Sequence, residues 1–559
     1  MWTWHNTPEV MLKSLNDFPG HHPTLLPRHR FRCLLNLSRP LHSGIWIISI
    51  SLIIFLLTLT YGFRIQASPV TIISEPVQSG DVTVHLTPDI NTVFRNPFMG
   101  WVLYPCENGD IPNASAYWAS QNANARYAST CYIRVLWSEM EPREGVYAWN
   151  TDANFIALYQ GALNRGLKLA FRVYVNSEDV PRQATPQWAF KDGVPIIHQG
   201  NDGPDPDITS PIFQRKYTTF IKAFGAAFND PSKVNWMDAS TFGNWGEMNV
   251  NSQSLNAAQR QQTLTWLCTT YASAFTRVPT AMNFPGDTWS NAEYDSWCFD
   301  KECTAMRRDG LAGPYGWVNT KQEKSILARW PQIPFIAENG FQHPNAAQQQ
   351  AALAQALFLH ANFLDLRQPR AAANWIQKKP EWVKIFNLYG GYRFVVRFVM
   401  YPRMITANSR ILLRAGMQNW GVGVLPNNLK PWNNKYKFAF GLLDATGNPV
   451  KIFIDTAPED DPSHWTNSTL YTPVMDRTSK LPVGLMTEDY WLNYNRTYML
   501  NVPGNLTGVP EGKYNLGIAV VDTSNANKID ISLAVNAPRT ASGWRLVGSI
   551  SVGHGGTIR

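Results

Sequence analysis

The sequence predicts an α/β protein in which a (β/α)8 TIM barrel is preceded by a single transmembrane helix and followed by a C-terminal β-sandwich. Three observations predict this architecture. An uncharged apolar run lies near the N-terminus, short apolar runs then alternate with amphipathic stretches, and the final third carries only short strand-like segments. The 559 residues exceed one ordinary domain and suffice for a barrel and a second module.

Composition limits the classes of function. Hydrophobic residues make up 44% of the chain and charged residues 16%, which favours a large buried core over disorder. The net charge is +8, but no dense Lys/Arg stripe occurs, so we expect no nucleic-acid partner. Aromatic residues reach 13%, including 22 Trp and 21 Tyr, which is typical of carbohydrate binders that stack sugar rings. A tryptophan-rich core is the alternative explanation.

The first predicted element is a membrane segment. Residues Gly44–Phe63 form an uncharged run of 20 residues, long enough for a helix rising about 1.5 Å per residue to cross a core of roughly 30 Å. Five Lys/Arg precede this run and only Arg64 follows closely, so residues 1–43 are predicted as a cytosolic tail. Residues 64–90 are predicted as a stalk. A signal peptide cleaved near Ala67 is the alternative.

The resulting prediction is a single-pass type II membrane protein. Its larger part would lie outside the cytoplasm, whether extracellular, periplasmic or lumenal. Among the cysteines beyond the membrane segment, Cys298 and Cys303 are close enough for a local disulfide, and Cys106 with Cys131 is a second candidate pair. No CxxC pair or histidine cluster indicates a metal, and no cofactor is expected.

The barrel is predicted to span residues 91–385. Eight apolar runs provide its candidate strands: Met99–Tyr104, Tyr132–Trp137, Leu167–Val175, Val234–Phe242, Thr280–Phe284, Gly313–Val318, Pro334–Ala337 and Asn362–Leu366. Amphipathic stretches between them predict helices, among them Asp152–Arg165, Ile212–Asn229, Ala257–Thr276 and Asn345–Leu359.

The β-sandwich is predicted over residues 386–559. Its candidate strands are rich in aromatic and β-branched residues and are separated by turn residues: Tyr392–Val399, Arg410–Gly416, Tyr436–Leu443, Val450–Ile454 and Tyr514–Val521.

Two glutamates follow predicted barrel strands. Glu247 follows the fourth run in Thr-Phe-Gly-Asn-Trp-Gly-Glu, and Glu338 ends the seventh in Ile-Pro-Phe-Ile-Ala-Glu. Reactive side chains of barrels sit at the carboxyl ends of strands, and the fourth and seventh strands lie on opposite sides of the mouth. We therefore expect the two carboxylates to face each other about 5 Å apart, as retaining glycoside hydrolysis requires. A salt bridge or a loop hydrogen bond is the alternative role of each.

Four motifs carry a resemblance to a known superfamily. The run from Arg134 to Trp149 resembles the R-x-x-W-x-x-x-E-P-x-x-G-x-Y-x-W signature of β-galactosidase-like, clan A glycoside hydrolases. Asn96-Pro-Phe-Met-Gly-Trp, the Gly-Asn-Trp-Gly-Glu segment and Gly391-Tyr-Arg-Phe are similar to a poorly characterised barrel-plus-β-sandwich family within it. The resemblance implies a retaining mechanism, with Glu247 as acid/base and Glu338 as nucleophile.

One departure from the clan precedes the acid/base candidate. Most members carry Asn there, where it binds the sugar 2-hydroxyl, whereas this chain has Gly246. Asn249 and Asn283 are the candidate replacements.

Further substrate-binding candidates come from the ends of the predicted strands. Arg134 is expected beside the nucleophile, where its charge would keep that carboxylate ionised. The aromatic candidates for stacking are Trp101, Trp137, Tyr174, Trp245, Trp289 and Tyr315, with core packing as the alternative for each. Asp287 and Asp365 are reserve acids.

The predicted function is a retaining glycoside hydrolase acting on a poly- or oligosaccharide outside the cytoplasm. One alternative is a catalytically inactive polysaccharide-binding or assembly protein on the same scaffold. Another is a membrane-tethered adhesin whose active part is the sandwich.

Overall fold

The structure is a computed structural model that describes residues 80–106, 109–177, 182–200, 203–249, 255–284, 295–301, 305–311, 320–341, 344–367, 369–467 and 496–553. The predicted tail, the membrane segment Gly44–Phe63 and residues 64–79 of the predicted stalk lie outside these residues. Among the helices that are described, none combines the length and apolar character needed to span a bilayer. The described residues, from Gly80 to Gly553, belong to one compact unit.

Eight parallel strands close into a barrel. They are β2 (Gly100–Leu103), β3 (Ala128–Leu136), β4 (Lys168–Tyr174), β7 (Val234–Asp238), β8 (Thr280–Asn283), β9 (Ala305–Leu311), β10 (Phe335–Asn339) and β11 (Ala361–Asp365). Each pairs with the next in chain order, and β11 pairs with β2 through Leu364 and Trp101. The predicted (β/α)8 barrel is confirmed.

Helices surround the barrel, and the apolar face of each helix is buried against the barrel strands. In Pro211–Phe228, Ser210 caps the first turn, and Phe213, Tyr217 and Phe224 lie on the buried face at helical spacing. The other α-helices are Ala114–Gln121, Trp137–Met140, Ala148–Thr151, Ala153–Leu163, Gln187–Lys191, Ala257–Ala274, Thr320–Arg329, Ala346–Phe358, Pro369–Ala373 and Pro380–Tyr389. Shorter 3-10 or π turns cover Asn124–Tyr127, Asn244–Gly246, Asp295–Phe299, Asn374–Lys378, Pro458–Asp460 and Pro462–His464.

The sixth barrel strand is not the predicted one. The barrel uses Ala305–Leu311, whereas Gly313–Val318 falls outside the described residues. This strand does not form an apolar run in the sequence. Arg307 and Asp309 occupy its inward positions, because the barrel interior is charged at this level.

The barrel interior has an apolar floor beneath a charged layer. Tyr132, Trp236 and Phe363 belong to one buried cluster with small residues from neighbouring strands. Two positions further along β7 and β4, Asp238 and Arg172 form a buried ion pair, since successive inward positions of a strand are two residues apart. The chemistry therefore lies above the floor, towards the carboxyl ends of the strands.

Two sheets outside the barrel share one core. The first has the order β1 (Asp81–His85), β12 (Phe394–Pro402), β14 (Arg410–Asn419), β17 (Tyr498–Asn505). The second has the order β13 (Met404–Thr406), β20 (Arg545–Gly553), β18 (Gly512–Asp522), β15 (Tyr436–Leu443), β16 (Pro449–Ile454), with β19 (Lys528–Ile531) beside β18. Trp465 contacts Phe394 of one sheet and Phe438 of the other. A further hairpin, β5 (Ile196–Gly200) and β6 (Gly203–Pro206), lies within the barrel sequence.

The predicted stalk is partly wrong. Asp81–His85, inside the 64–90 segment, pairs antiparallel with Phe398–Pro402 and so belongs to the first sheet. Alternate residues of this segment pack on the sandwich core, among them Val84 and Leu86. An exposed linker has no such packing.

The Gly391–Phe394 motif joins the sandwich to the floor of the barrel. The Tyr392 hydroxyl donates to the Pro97 carbonyl at 2.6 Å, and Arg393 donates to the Asp89 carbonyl at 2.5 Å. Phe98 packs against both Trp236 of the barrel floor and Trp432 of the sandwich. The amino ends of the barrel strands are thus covered by the sandwich, while the functional candidates lie at the other end.

Candidate active site

Three carboxylates meet at the carboxyl ends of the barrel strands. One oxygen from each of Glu247, Asp309 and Glu338 lies within 4.8 Å of the other two. Glu247 follows β7, Asp309 lies on β9 and Glu338 lies on β10. The structure therefore brings the two predicted catalytic glutamates together and adds a third acid that the sequence did not single out.

A tight turn aims Glu247 into the barrel. Trp245, Gly246 and Met248 all have positive φ (54°, 69° and 62°), and the Met248 amide donates back to the Phe242 carbonyl at 2.7 Å. Such left-handed residues make the chain reverse within a few positions. The Asn283 side chain donates to the Glu247 carbonyl at 3.0 Å and fixes the turn to β8.

The same turn explains the departure at Gly246. A Cβ there would lie 2.9 Å from Tyr174 Cβ, 3.0 Å from Arg172 Cδ and 3.2 Å from the Ser240 carbonyl oxygen. With a left-handed φ as well, the position excludes the Asn that the resembling clan carries. Whatever binds a sugar hydroxyl here must come from another residue.

Glu247 is the more accessible of the two catalytic candidates. Its side chain is 23% exposed, and Arg134 Nη1 donates to Oε1 at 3.0 Å. Burial raises the pKa of Glu247, the charge of Asp309 raises it further, and Arg134 opposes both effects. A carboxyl with a raised pKa keeps its proton at higher pH, as a general acid must.

Glu338 is held by two guanidinium groups. Arg307 on β9 binds Oε2, and Arg367 after β11 binds Oε1 at 2.5 Å. The Glu338 side chain is 1% exposed, Arg307 is 3% exposed and Arg367 is 11% exposed. Paired cations stabilise a buried carboxylate in its ionised form.

Asp309 and Asp238 neutralise the arginines beneath these glutamates. Asp309 accepts from Arg172 at 2.7 Å and lies 2.6 Å from Arg307 Nε. Burial alone would raise the pKa of Asp309, but Arg172, Arg307 and Arg134 hold it far below its usual range. The acids therefore have guanidinium partners, although their spacing would also suit a divalent cation.

Asp365 differs from Asp309 in that its surroundings raise the pKa of its carboxyl group. It is buried beside Glu338, and its Oδ1 accepts the Asn339 amide at 3.0 Å. Burial and the charge of Glu338 raise its pKa to about 8. Of this reserve pair, Asp287 lies outside the described residues.

Several predicted binding residues do lie near the carboxylates. Asn283 joins the main chains of Glu247 and Asp309, because its side-chain oxygen also accepts the Asp309 main-chain amide at 3.0 Å. Tyr174 is buried under Gly246 and contacts the partly buried Trp245. Asn249 is half-buried and packs against Gly243 at the base of the turn.

The structure changes the expected role of Arg134. Its hydrogen bond goes to Glu247, while the charge of Glu338, beside which it was predicted to lie, also acts on its guanidinium group. The cations that bind Glu338 come from β9 and from the segment after β11 instead, because those strands flank β10 in the closed barrel.

The prediction that Trp101 and Trp137 stack against a sugar is wrong. Trp101 is fully buried between the barrel and the outer helices, where its Nε1 donates to the Val383 carbonyl at 3.0 Å. Trp137 is also fully buried and donates to Glu141 at 2.8 Å. Both point outward from the barrel into core packing. Trp289 and Tyr315 lie outside the described residues.

Four site residues were missed by the sequence analysis. They are Arg307, Asp309 and Arg367, together with Tyr104, whose ring lies 5.1 Å from the Arg134 guanidinium carbon. The available signal was charge at alternate positions of a strand, as in Arg307 and Asp309. Such alternation marks a polar barrel interior.

A cleft of about 810 Å³ lies at the opposite end of the barrel. Lys168 and Ser232 line it from the barrel, and Trp432 and Lys528 line it from the sandwich. It includes none of the carboxylates described above, so its size alone does not make it the reaction site.

No protein-family model and no curated protein matches the sequence. Solved structures that align with it include a xylanase from Paenibacillus barcinonensis, at 11% identity over 50% of this chain and 87% of that one, with a TM-score of 0.34. An endo-β-1,4-mannanase from Thermotoga petrophila aligns at 10% identity over 83% and 100% of the two chains, with a TM-score of 0.35.

A β-galactosidase from Rahnella sp. R3 aligns at 12% identity with a TM-score of 0.33. The alignment covers 50% of this chain and 52% of that enzyme, about half its length. The assignment of the barrel follows from the closed strand order of this chain itself, and that order fits the predicted resemblance to clan A.

Proposed function

We propose that the protein is a retaining glycoside hydrolase with Glu247 as acid/base and Glu338 as nucleophile. The observation that carries the proposal is the approach of their carboxylate oxygens to within 4.8 Å across the barrel mouth. Retaining enzymes place these groups about 5 Å apart, whereas inverting enzymes need roughly 6.5–9.5 Å for an intervening water. The substrate is a poly- or oligosaccharide, met outside the cytoplasm if Gly44–Phe63 anchors the chain.

The different environments of Glu247 and Glu338 support different roles, proton donor for Glu247 and nucleophile for Glu338. Glu247 has a raised pKa and a partly exposed side chain, so it can deliver its proton to a departing glycosidic oxygen. Glu338 faces two guanidinium groups that favour its anion, the form that attacks carbon.

The proposed reaction has two steps, formation of a covalent glycosyl-enzyme intermediate and its hydrolysis. A Glu338 oxygen bonds to the anomeric carbon while the bond to the leaving oxygen breaks and the Glu247 proton moves to that oxygen. Glu247 then takes a proton from water, whose oxygen attacks the anomeric carbon and releases Glu338.

Attack requires that Glu338 free one oxygen. Arg367 is the partner expected to move, because it is more exposed than Arg307 and lies at the end of β11 with a left-handed φ of 56°. Substrate hydroxyls arriving at the mouth would replace its hydrogen bond. Arg307 is fixed by Asp309 and stays in place.

The burial and pairing of Glu338 also favour a second candidate function, that of a polysaccharide-binding protein without turnover. A carboxylate that is 1% exposed with both oxygens paired cannot reach a sugar unless Arg367 moves. This candidate predicts saturable glycan binding without a product.

The test compares Glu247→Gln and Glu338→Gln in the full chain with Glu381→Gln, an exposed glutamate on an outer helix. The probes are a panel of aryl α- and β-glycosides and polysaccharides whose new reducing ends are read by mass. Loss of general acid catalysis should lower kcat/KM of Glu247→Gln by about 10²–10⁴. The loss should be smallest for aryl leaving groups that depart without a proton.

Glu338→Gly should lose turnover, and azide should restore it by forming a glycosyl azide. Full activity in both Gln variants would refute the assignment. If wild-type protein binds a glycan in the panel and releases no product from it, the second candidate is the correct one.

A further inference from the structure

Two buried cysteine sulfurs lie side by side in the layer between the barrel strands and the outer helices. Cys268 is on helix Ala257–Ala274, Cys298 is in the π-helical turn Asp295–Phe299, and their Sγ atoms are 3.2 Å apart. Both side chains are fully buried in the layer between barrel and helices. The contact joins two connections of the barrel, the one after β7 and the one after β8.

We propose that Cys268 and Cys298 form a disulfide in the mature protein. A covalent S–S bond is about 2.05 Å long, so the sulfurs need to approach by only about 1.2 Å. The two segments that carry them already pack against each other, so the approach needs side-chain rotation and no rearrangement of the fold. This pairing competes with the Cys298–Cys303 pair suggested by sequence spacing; Cys303 lies outside the described residues.

The oxidation needs an acceptor for two electrons. The two thiols lose two protons and two electrons as the S–S bond forms, and a disulfide donor, such as glutathione disulfide or a disulfide-bearing oxidoreductase, is reduced to two thiols. Because both sulfurs are buried, the exchange takes place while the chain folds. Disulfide donors act in the oxidising compartments outside the cytoplasm, where the predicted topology puts this part of the chain.

The bond would brace one side of the candidate site. It closes a loop that contains β8 and therefore Asn283, whose side chain holds the Glu247 carbonyl. The bond can exist whether or not the protein hydrolyses glycosides, so its test is independent of the proposed activity.

Trypsin provides a clean readout, because basic residues separate all three cysteines. Cleavage after Arg260, Arg277, Lys301 and Arg307 leaves Cys268, Cys298 and Cys303 on three different peptides, 261–277, 278–301 and 302–307. The full chain is made in an oxidising compartment or refolded in a glutathione redox buffer. It is then unfolded with N-ethylmaleimide and digested without reduction.

The expected product is peptide 261–277 cross-linked to peptide 278–301, which separates on reduction. Two results would overturn the proposal. One is a cross-link between 278–301 and 302–307, and the other is N-ethylmaleimide on both Cys268 and Cys298.

Thermal unfolding gives a second, independent measurement. Cys268→Ala, Cys298→Ala and the double variant should each lower Tm by roughly 2–4 °C under oxidising conditions, with no additional loss in the double variant. A reductant should remove most of that difference by lowering the wild-type Tm. The matched control is Val278→Ala, a fully buried side chain without a thiol that lies between the two cysteines, which should keep the same response to reductant. Wild-type protein that was refolded in reductant and still has the Tm of the oxidised protein would contradict the bond.

Discussion

Gly246 is the position where backbone geometry and catalysis are most tightly linked. Its φ is 69°, and an added Cβ would come within 3.0 Å of both Tyr174 Cβ and Arg172 Cδ. These neighbours cannot retreat cheaply, because Arg172 is fully buried and ion-paired to Asp238 and Asp309. Gly246→Ala must therefore displace the turn that aims the next residue, Glu247.

The magnitude follows from two contributions. A left-handed conformation costs an L-residue about 1–2 kcal/mol, and overpacking a fixed site costs about 1–3 kcal/mol more. We expect Gly246→Ala to lower the free energy of unfolding by about 2–5 kcal/mol. Gly508→Ala is the matched control, because Gly508 has a similar φ of 79° with no atom within 4 Å of the added Cβ. It should lose only the conformational part, about 1–2 kcal/mol.

The assay is urea unfolding followed by tryptophan fluorescence, for which the chain has 22 Trp. The turnover of each variant on an accepted substrate is measured in parallel. Gly246→Ala should unfold at lower urea and lose kcat, whereas Gly508→Ala should retain kcat. Gly246→Asn, which introduces the residue typical of the resembling clan, should be at least as unstable as the alanine variant. Equal losses for Gly246→Ala and Gly508→Ala would refute the steric argument.

Three further predictions concern neighbours of the two glutamates. Asn283→Ala leaves the Glu247 carbonyl and the Asp309 amide without their partner, so unfolding should become easier by about 2–4 kcal/mol and kcat should fall more than KM changes. Asn283→Asp retains the acceptor but sets an oxygen against the Glu247 carbonyl and adds a buried charge, so it should lose at least as much stability. Asp365 has a folded pKa of about 8, above its unfolded value, so its contribution to stability is lost as pH rises towards 8. Asp365→Asn should flatten that pH dependence and be more stable than the wild type at pH 9, measured by unfolding across pH; an unchanged slope would show that this acid is ionised in the fold. Arg134 lowers the pKa of Glu247, so Arg134→Gln should move the alkaline limb of the kcat/KM profile to higher pH, and a shift to lower pH would contradict the assignment of Glu247 as the acid.

Helices and most strands were predictable because their signals are local. Asn256 and Asn345 each form a capping box at the start of a helix, and both helices were predicted to within a few residues. Thr280–Asn283 and Phe335–Asn339 are apolar runs bounded by turn residues, and both are barrel strands. Periodicity and caps lie within a few neighbouring residues, so one sequence suffices to recognise them.

The sixth strand and the aromatic residues show where local signals fail. Ala305–Leu311 carries charges because its inward face meets arginines and acids from other strands. Trp101 and Trp137 resemble sugar platforms in composition, yet their side chains point outward into the helical layer. Strand direction and register decide which way a side chain points, and these depend on the closed barrel.

The sequence alone determined the order of barrel and sandwich and the two glutamates at the ends of the fourth and seventh strands, since both follow from local periodicity and chain order. Only the tertiary structure decided that Arg307 and Arg367 hold Glu338, that Arg134 serves Glu247, and that a glycine must precede Glu247. Ion pairs across a barrel join residues on different strands, and their partners are set by strand order and register in space, which no stretch of neighbouring residues records.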